Sequence, residues 1–428
     1  MMGLFPKMPT MSHEFIRFAS GLRVAVLGVA LFVLGGPREC RAVLYVAASA
    51  GGLADGGSWS NAFTGLPQAL AAAVAGDQVW VKAAVYGSFT QAVGVAVYGG
   101  FAGDETDLSQ RNWTNRVTVI DGAGGRAVTG ARGAVLDGFV ITNTAGAGGG
   151  VYMYRVGGTL RNCRFIGNSG GAAVSLLQNG GNDGVGGVAL VQRCVFQGNS
   201  GGISYSGRNN LVSGPHLAVI DGCLFVGNTD SAINTEHACD WLRIENCVFN
   251  NNSAVNGGAI YMGYSQYALA TTVGVYNCTF VDNQAASYGK AVFLSYQTPL
   301  LALVNCIIRG ADTSQIELRD GTPELTVSYC HLQNGTNSIH VRNGVLVDGG
   351  GNSSEDPLFQ DPDGADNVPG TLDDNFRLAQ TSPCVDSGTA TNAPDHDMAG
   401  EVRPQGKGYD RGAFESPKPV YGMFMLFF

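Results

Sequence analysis

Residues 247–283 read CVFNNNSAVNGGAIYMGYSQYALATTVGVYNCTFVDN. The stretch opens on Cys-x-Phe-x-x-Asn, passes through Gly257-Gly258-Ala-Ile-Tyr-Met262, and returns to Cys-x-Phe-x-x-Asn 31 residues later. Outward from it, the same element stands at Cys163-Arg-Phe165-Ile-Gly-Asn168, Cys194-Val-Phe196-Gln-Gly-Asn199 and Cys223-Leu-Phe225-Val-Gly-Asn228. Weaker copies follow at Cys306-Ile-Ile308 and Cys330-His-Leu332, and Phe139-Val-Ile141 precedes the series. From Phe139 onward the intervals are 24, 31, 29, 24, 31, 28 and 24 residues. A second element, glycine and then a short apolar run, alternates with the first, as at Gly149-Gly150-Val-Tyr-Met153 and Gly289-Lys-Ala-Val-Phe-Leu294.

Each interval holds two or three short alternating strands separated by Gly or Asn turns, with no room for a substantial helix. That content suits one coil of a right-handed parallel β-helix, stacked at about 4.8 Å per coil. Leucine-rich repeats have a similar period, but their Leu/Asn pattern is missing, and propeller blades need about 40 residues or more. The fold class is therefore all-β, a solenoid. Residues 66–75 give the one convincing helix, apolar enough to cap the open end of the stack.

Composition agrees. Glycine is 63 of 428 residues and charged residues only 14%, with a net charge of −9 and 45% hydrophobic residues. An acidic chain without basic clusters is a poor partner for nucleic acid. The hydrophobic share argues against disorder, and 15 prolines with no three-residue glycine period exclude collagen. Residues 1–42 read as a secretory signal: Arg17 and Arg23 flank the start of the apolar run Val24–Leu34, and Cys40-Arg41-Ala42 supplies a small residue for cleavage. That run is too short to span a bilayer, so no transmembrane helix is expected in the mature chain, which reads as exported. Residues 43–115 form an N-terminal cap and first coils, 116–350 the repeats, and 351–428 an acidic loop with closing strands. The final Tyr421–Phe428 is apolar but too short to span, and reads as a remnant or a docking strand.

In such a stack, equivalent positions become ladders. The Cys column is expected inside, as small buried hydrophobes rather than disulfides, because in-register neighbours point the same way. Cys239 and Cys384 stand outside it. The Asn column (Asn168, Asn199, Asn228, Asn252, Asn283) is expected to hydrogen-bond along the stack while tolerating left-handed backbone angles. In the glycine-led strand, Val151 and Met153, Ile260 and Met262, Val292 and Leu294, and Ile316 and Leu318 share one face. Tyr152, Tyr261 and Phe293 must then point outward, followed in the same column by Glu317 and His340. Exposed rings there would form a platform for sugar rings or a protein contact; lateral packing under a loop explains them as readily.

Gly-Gly-Ala-Ile-Tyr at 257–261 and Phe-x-x-Asn at 280–283 resemble the two short repeats of chlamydial polymorphic outer membrane proteins. Nearly the whole mature chain resembles bacterial right-handed parallel β-helix proteins of the choice-of-anchor Q type. The residues carrying that likeness include Gly56-Gly-Ser-Trp59, Gly76-Asp77-Gln-Val-Trp80, Asp356-Pro-Leu-Phe359, Ser382-Pro-Cys-Val-Asp386 and Tyr409-Asp-Arg-Gly-Ala-Phe-Glu415. The resemblance implies export, a β-helix, and loosely adhesion or polysaccharide contact.

Chemistry is sparse. Asp361, Asp363 and Asp366, followed by Asp373 and Asp374, put carboxylates on a Gly/Pro loop, which suits calcium or a merely solvated turn. No other cofactor is indicated. β-helices also carry polysaccharide lyases and glycoside hydrolases, but fold alone does not grant function. A hydrolase would need carboxylates converging from adjacent coils. The best local cluster is Glu236-His237 with Asp240, Arg243 and Glu245, whose adjacent-coil neighbours read as Tyr264 and Tyr296. Three readings stand: a non-enzymatic exported or cell-surface protein contacting polysaccharide or cell-surface components, a polysaccharide lyase or hydrolase, and a passive spacer.

Overall fold

The computed structural model describes residues 42–417 apart from 147, 155, 180–187, 209–216, 236–240, 264–271, 296–298 and 311–313. Cys40, Cys239, the leader up to Arg41, the 236–240 part of the charged cluster, Tyr264, Tyr296 and Tyr421–Phe428 thus lie outside the described residues. The rest is a right-handed parallel β-helix of three long sheets. Sheet A runs through 12 strands from Val43–Val46 to Val345–Asp348. Sheet B has 10 strands from Val85–Tyr86 to His331–Leu332, and sheet C 10 from Phe89–Thr90 to Ile339–Val341. Each coil visits A, B and C in turn, as Gly158–Arg161, Arg164–Ile166 and Ala172–Asn179 do. Among the described residues no helix is long and apolar enough to cross a membrane.

Alternation in each strand fills the interior with ladders. Leu160, Val191, Ile220, Ile244, Val275 and Leu303 stand in line on sheet A. On sheet B, Phe165, Phe196, Phe225, Phe249 and Phe280 stack with centroids 4.6–4.9 Å apart and rings within 9° of parallel. The seven repeat cysteines are buried and free, as is Cys384, so the column is a thiol ladder. Burial pushes the Cys163, Cys194, Cys247, Cys306 and Cys330 thiols up, away from the reactive thiolate. At the N-terminal end the helix is Leu66–Ala72, three residues shorter than expected, and it buries Leu66, Ala69 and Leu70 against the first coil.

The asparagine ladder forms, with one correction. Each side-chain amide donates to the next side-chain carbonyl: Asn168 to Asn199 at 2.9 Å, Asn199 to Asn228 at 3.0 Å, Asn228 to Asn252 at 2.7 Å and Asn252 to Asn283 at 3.0 Å. The left-handed residue is the one before it, at Gly167, Gly198, Gly227, Asn251 and Asp282. Dividing the tasks lets the ladder residue keep an ordinary backbone while its neighbour makes the corner. A second left-handed position precedes the cysteine in every coil, at Asn162, Arg193, Asn246, Asn277 and Asn305 among others.

Among the described residues, 356–417 run as a strap along the outside of sheet B. The antiparallel pair Phe359–Asp361 and Asn375–Leu378 lies there, with Phe376 packing on Val248 and Val281, and Leu378 with Cys384 on Ile307. Successive coils are gripped through their corners. Arg411 reaches the Cys330 and Gly351 carbonyls, Asn305 exchanges bonds with Thr389, and Asn277 donates to the Asp410 carbonyl at 2.9 Å. The outer columns of sheet B are therefore buried where the strap lies.

His331 shows what this costs. It is fully buried beneath the strap, stacked beside Ile307, and neither ring nitrogen has a hydrogen-bond partner. Burial, and then the nearby Arg411 charge, lower its pKa to about 4. A base held below its unfolded value of about 6.5 leaves stability complete above that pH; protons then favour the unfolded chain as pH falls toward 4. The loss amounts to about 3 kcal/mol. His331→Leu should leave stability at pH 7 unchanged or raised, with its advantage over the wild type growing between pH 6.5 and 4. Thermal melts across that range check this, and a pH-independent difference would refute it.

Candidate functional site

The outer column of sheet C is one continuous row. Register places Thr129, Tyr152, Ser175, Ser204, Asn234, Tyr261, Phe293, Glu317 and His340 side by side on successive strands. Its inward partners Val151, Met153, Ile260 and Met262 are buried, as alternation requires. The aromatic residues fall into two groups. Tyr152 is half-buried, with the Arg126 guanidinium 3.8 Å above its ring and Tyr154 stacked at 6.1 Å. Four strand steps away, roughly 19 Å, Tyr261 stacks on Phe293 at 5.6 Å.

Phe293 itself is only 4% exposed, which corrects the expectation of an open ring. Tyr288 covers it at 6.2 Å from Gln284–Tyr288, a strand that pairs with Ser253–Asn256 in a small parallel sheet at the corner between sheets B and C. This extra sheet makes a wall beside the floor of sheet C. The half-buried rings of Tyr261 and Tyr288 are what the groove presents.

Below the rings lies a charged cluster that alternation placed in the column but did not reveal as a cluster. The Glu317 side chain is 1% exposed, with His340 Nδ1 at 2.9 Å, Arg342 Nε at 3.5 Å and Arg319 Nη1 at 4.0 Å. Arg319 also lies 3.9 Å over the Tyr288 ring, and its Nε is 3.8 Å from Asp320. Arg319 and Arg342, with the His340 ring beside them, thus compensate a buried carboxylate that register alone would have left exposed.

A second polar cluster sits at the corner between sheets A and B. Register makes Asp221 and Tyr276 the neighbours of Glu245 in adjacent coils, while the expected neighbours of the cluster, Tyr264 and Tyr296, lie outside the described residues. This is a pair of carboxylates from adjacent coils, but both are engaged. Asp221 accepts from His396 at 3.1 Å, Asn246 at 3.0 Å and Gln192 at 3.3 Å. Burial would raise its pKa, but these bonds and the His396 charge hold it below the ordinary value. The hydrogen bond to Asp221 in turn lifts His396 to about 9. Glu245 is raised by burial while holding Arg243 at 2.5 Å, and Arg243 donates to the Asn392 carbonyl and lies over Tyr276 at 4.3 Å. Both His396 and Asn392 belong to the strap, so the cluster is its far anchorage.

The five aspartates of the acidic loop are brought near one another without converging. Asp374 accepts from Asn250, Gly370 and Thr371, and Asp373 from the Asp366 amide and the Thr371 hydroxyl. Desolvation and the charges of Asp363, Asp373 and Asp374 raise the Asp361 carboxyl. Among the described residues no three His, Cys, Asp or Glu side chains form a metal-holding group. Near the N-terminal cap, a cleft of about 430 Å³ lined by Ser49, Trp59, Asn61 and Lys82 gathers no acid.

Among solved structures the chain is similar to a crystal structure of pectate lyase Pel9A, at 15% identity and a TM-score of 0.48, over 87% of this chain and 96% of that one. No family model matches the chain. No curated protein matches it either.

Proposed function

We propose that this protein is an exported or cell-surface β-helix that holds polysaccharide along the outer face of sheet C without cleaving it. The observation that carries the reading is the row itself. Hydroxyl, amide and half-buried aromatic groups stand at one residue per coil, on a face away from the strap's anchors on sheet B and the A/B corner. Half-buried rings and hydroxyls aligned in one row are the chemistry that sugar faces and sugar hydroxyls accept. The resemblance of the repeats to polymorphic outer membrane proteins and choice-of-anchor Q β-helices supports display outside the cell.

A lyase or hydrolase is the weaker reading. The one in-register carboxylate pair described here, Asp221 with Glu245, is occupied in holding the strap. A polysaccharide array, paired with assays for reducing ends and unsaturated products, tests both. Binding should occur without product. Tyr261→Ala should weaken it about tenfold, the loss of one stacked ring. Product released from any polymer overturns the non-enzymatic reading, and binding unchanged in Tyr261→Ala overturns the site.

A further inference from the structure

We infer that the cations beyond the aromatic groove form a subsite for the carboxylate of an acidic sugar, so that the protein prefers uronate-rich polysaccharide. The inference rests on the polysaccharide reading and names its ligand class. Three observations on one column support it. Glu317 and His340 follow Tyr261 and Phe293 on successive strands, so a chain lying along the rings passes directly over the cluster. The Glu317 carboxylate is buried and cannot meet a ligand; it acts as the internal counter-ion that collects Arg319, His340 and Arg342 at one place. Arg342 Nε lies 3.5 Å from Glu317, and its side chain is 52% exposed. A half-exposed guanidinium can take a planar carboxylate through a fork of two parallel hydrogen bonds.

Two guanidiniums face two carboxylates, Glu317 and the half-exposed Asp320, beside the His340 imidazole, and among the described residues Asp320 approaches Arg319. Arg342 therefore carries charge that no described acid other than Glu317 meets, in a chain whose net charge is −9. Arg319, seated on Tyr288, ties this charge to the groove wall, so ring and carboxylate of neighbouring sugars would be held by one continuous surface.

The test measures the full chain against polygalacturonate, neutral xyloglucan and dextran sulfate at low and high salt. Polygalacturonate should bind tightest. Arg342→Gln should weaken it about tenfold and remove much of its salt dependence, as expected for one charge-assisted pair, while leaving xyloglucan binding unchanged. Arg342→Lys should fall between, keeping the charge without the fork. Polygalacturonate binding unaffected by Arg342→Gln overturns the subsite, as does tighter binding of dextran sulfate. If Tyr261→Ala loses both sugar polymers while Arg342→Gln loses neither, the groove stands and the acidic subsite falls. If no polymer binds, both fall.

Discussion

Arg403→Ala should free the C-terminal strap and cost about 3–5 kcal/mol, the loss expected when one partner of a buried ion pair is removed. The Arg403 and Glu415 side chains are both wholly buried, with Arg403 Nη1 donating to Glu415 Oε2 at 2.6 Å. The guanidinium also donates to strap carbonyls, of His396 at 3.2 Å, Gly412 at 2.9 Å and Asp410 at 3.4 Å. Glu415 in turn accepts from the backbone of Gln405 and Asp410. This part of the strap has almost no regular secondary structure, so its backbone groups depend on these side chains for partners. Without Arg403, those carbonyls lose donors, and Glu415, already raised by burial, is left as an unpaired buried acid.

The effect should be local before it is global. Hydrogen exchange and proteolysis should speed up through residues 384–417, while amides of the sheet B ladder keep their protection. Arg403→Met combined with Glu415→Leu should recover part of the loss, because no buried charge is then left unpaired, although backbone groups still lose their partners. Unchanged protease resistance in Arg403→Ala would show that the strap is held by its contacts with the coils and not by this ion pair.

The strap also marks where the sequence stops being legible. The ladders could be read because each coil repeats the same requirement: a small residue, then Phe, then an amide at the corner. A period makes a weak preference visible by restating it from Phe139 to Cys330. The strap has no period, and its partners lie far away in the chain. Nothing local to His396 points to Asp221, 175 residues earlier, or explains why Asn305 should meet Thr389. The candidate site falls between these cases. Alternation put Tyr152, Tyr261, Phe293, Glu317 and His340 on one outward column correctly. It could not show that Tyr288, from a strand outside the repeat, would cover Phe293, or that Arg319 and Arg342 would gather on Glu317. Direction is a property of the strand; exposure depends on what else arrives.

The ladder gives the second large effect. Asn228→Ala should destabilise the stack by about 3 kcal/mol or more, since at least two buried groups are orphaned at roughly 1–3 kcal/mol each. Its carbonyl accepts from both the backbone and the side-chain nitrogens of Asn199, at 3.1 and 3.0 Å. Its amide donates to Asn252 at 2.7 Å and to the Phe196 carbonyl at 3.0 Å. All of these are buried, and alanine replaces none of them. Position along the ladder then decides the size of the loss. At its start, Asn168 accepts from Thr144 at 2.8 Å, a hydroxyl that can turn to another acceptor, so Asn168→Ala should cost less than Asn228→Ala. Because each coil is stabilised mainly by its neighbours, a mid-stack defect should also separate the two halves, broadening or splitting the calorimetric transition. Equal losses at Asn168 and Asn228 with one sharp transition would mean that the amides act as independent turn caps. A deeper loss at the centre would mean that they act as a chain.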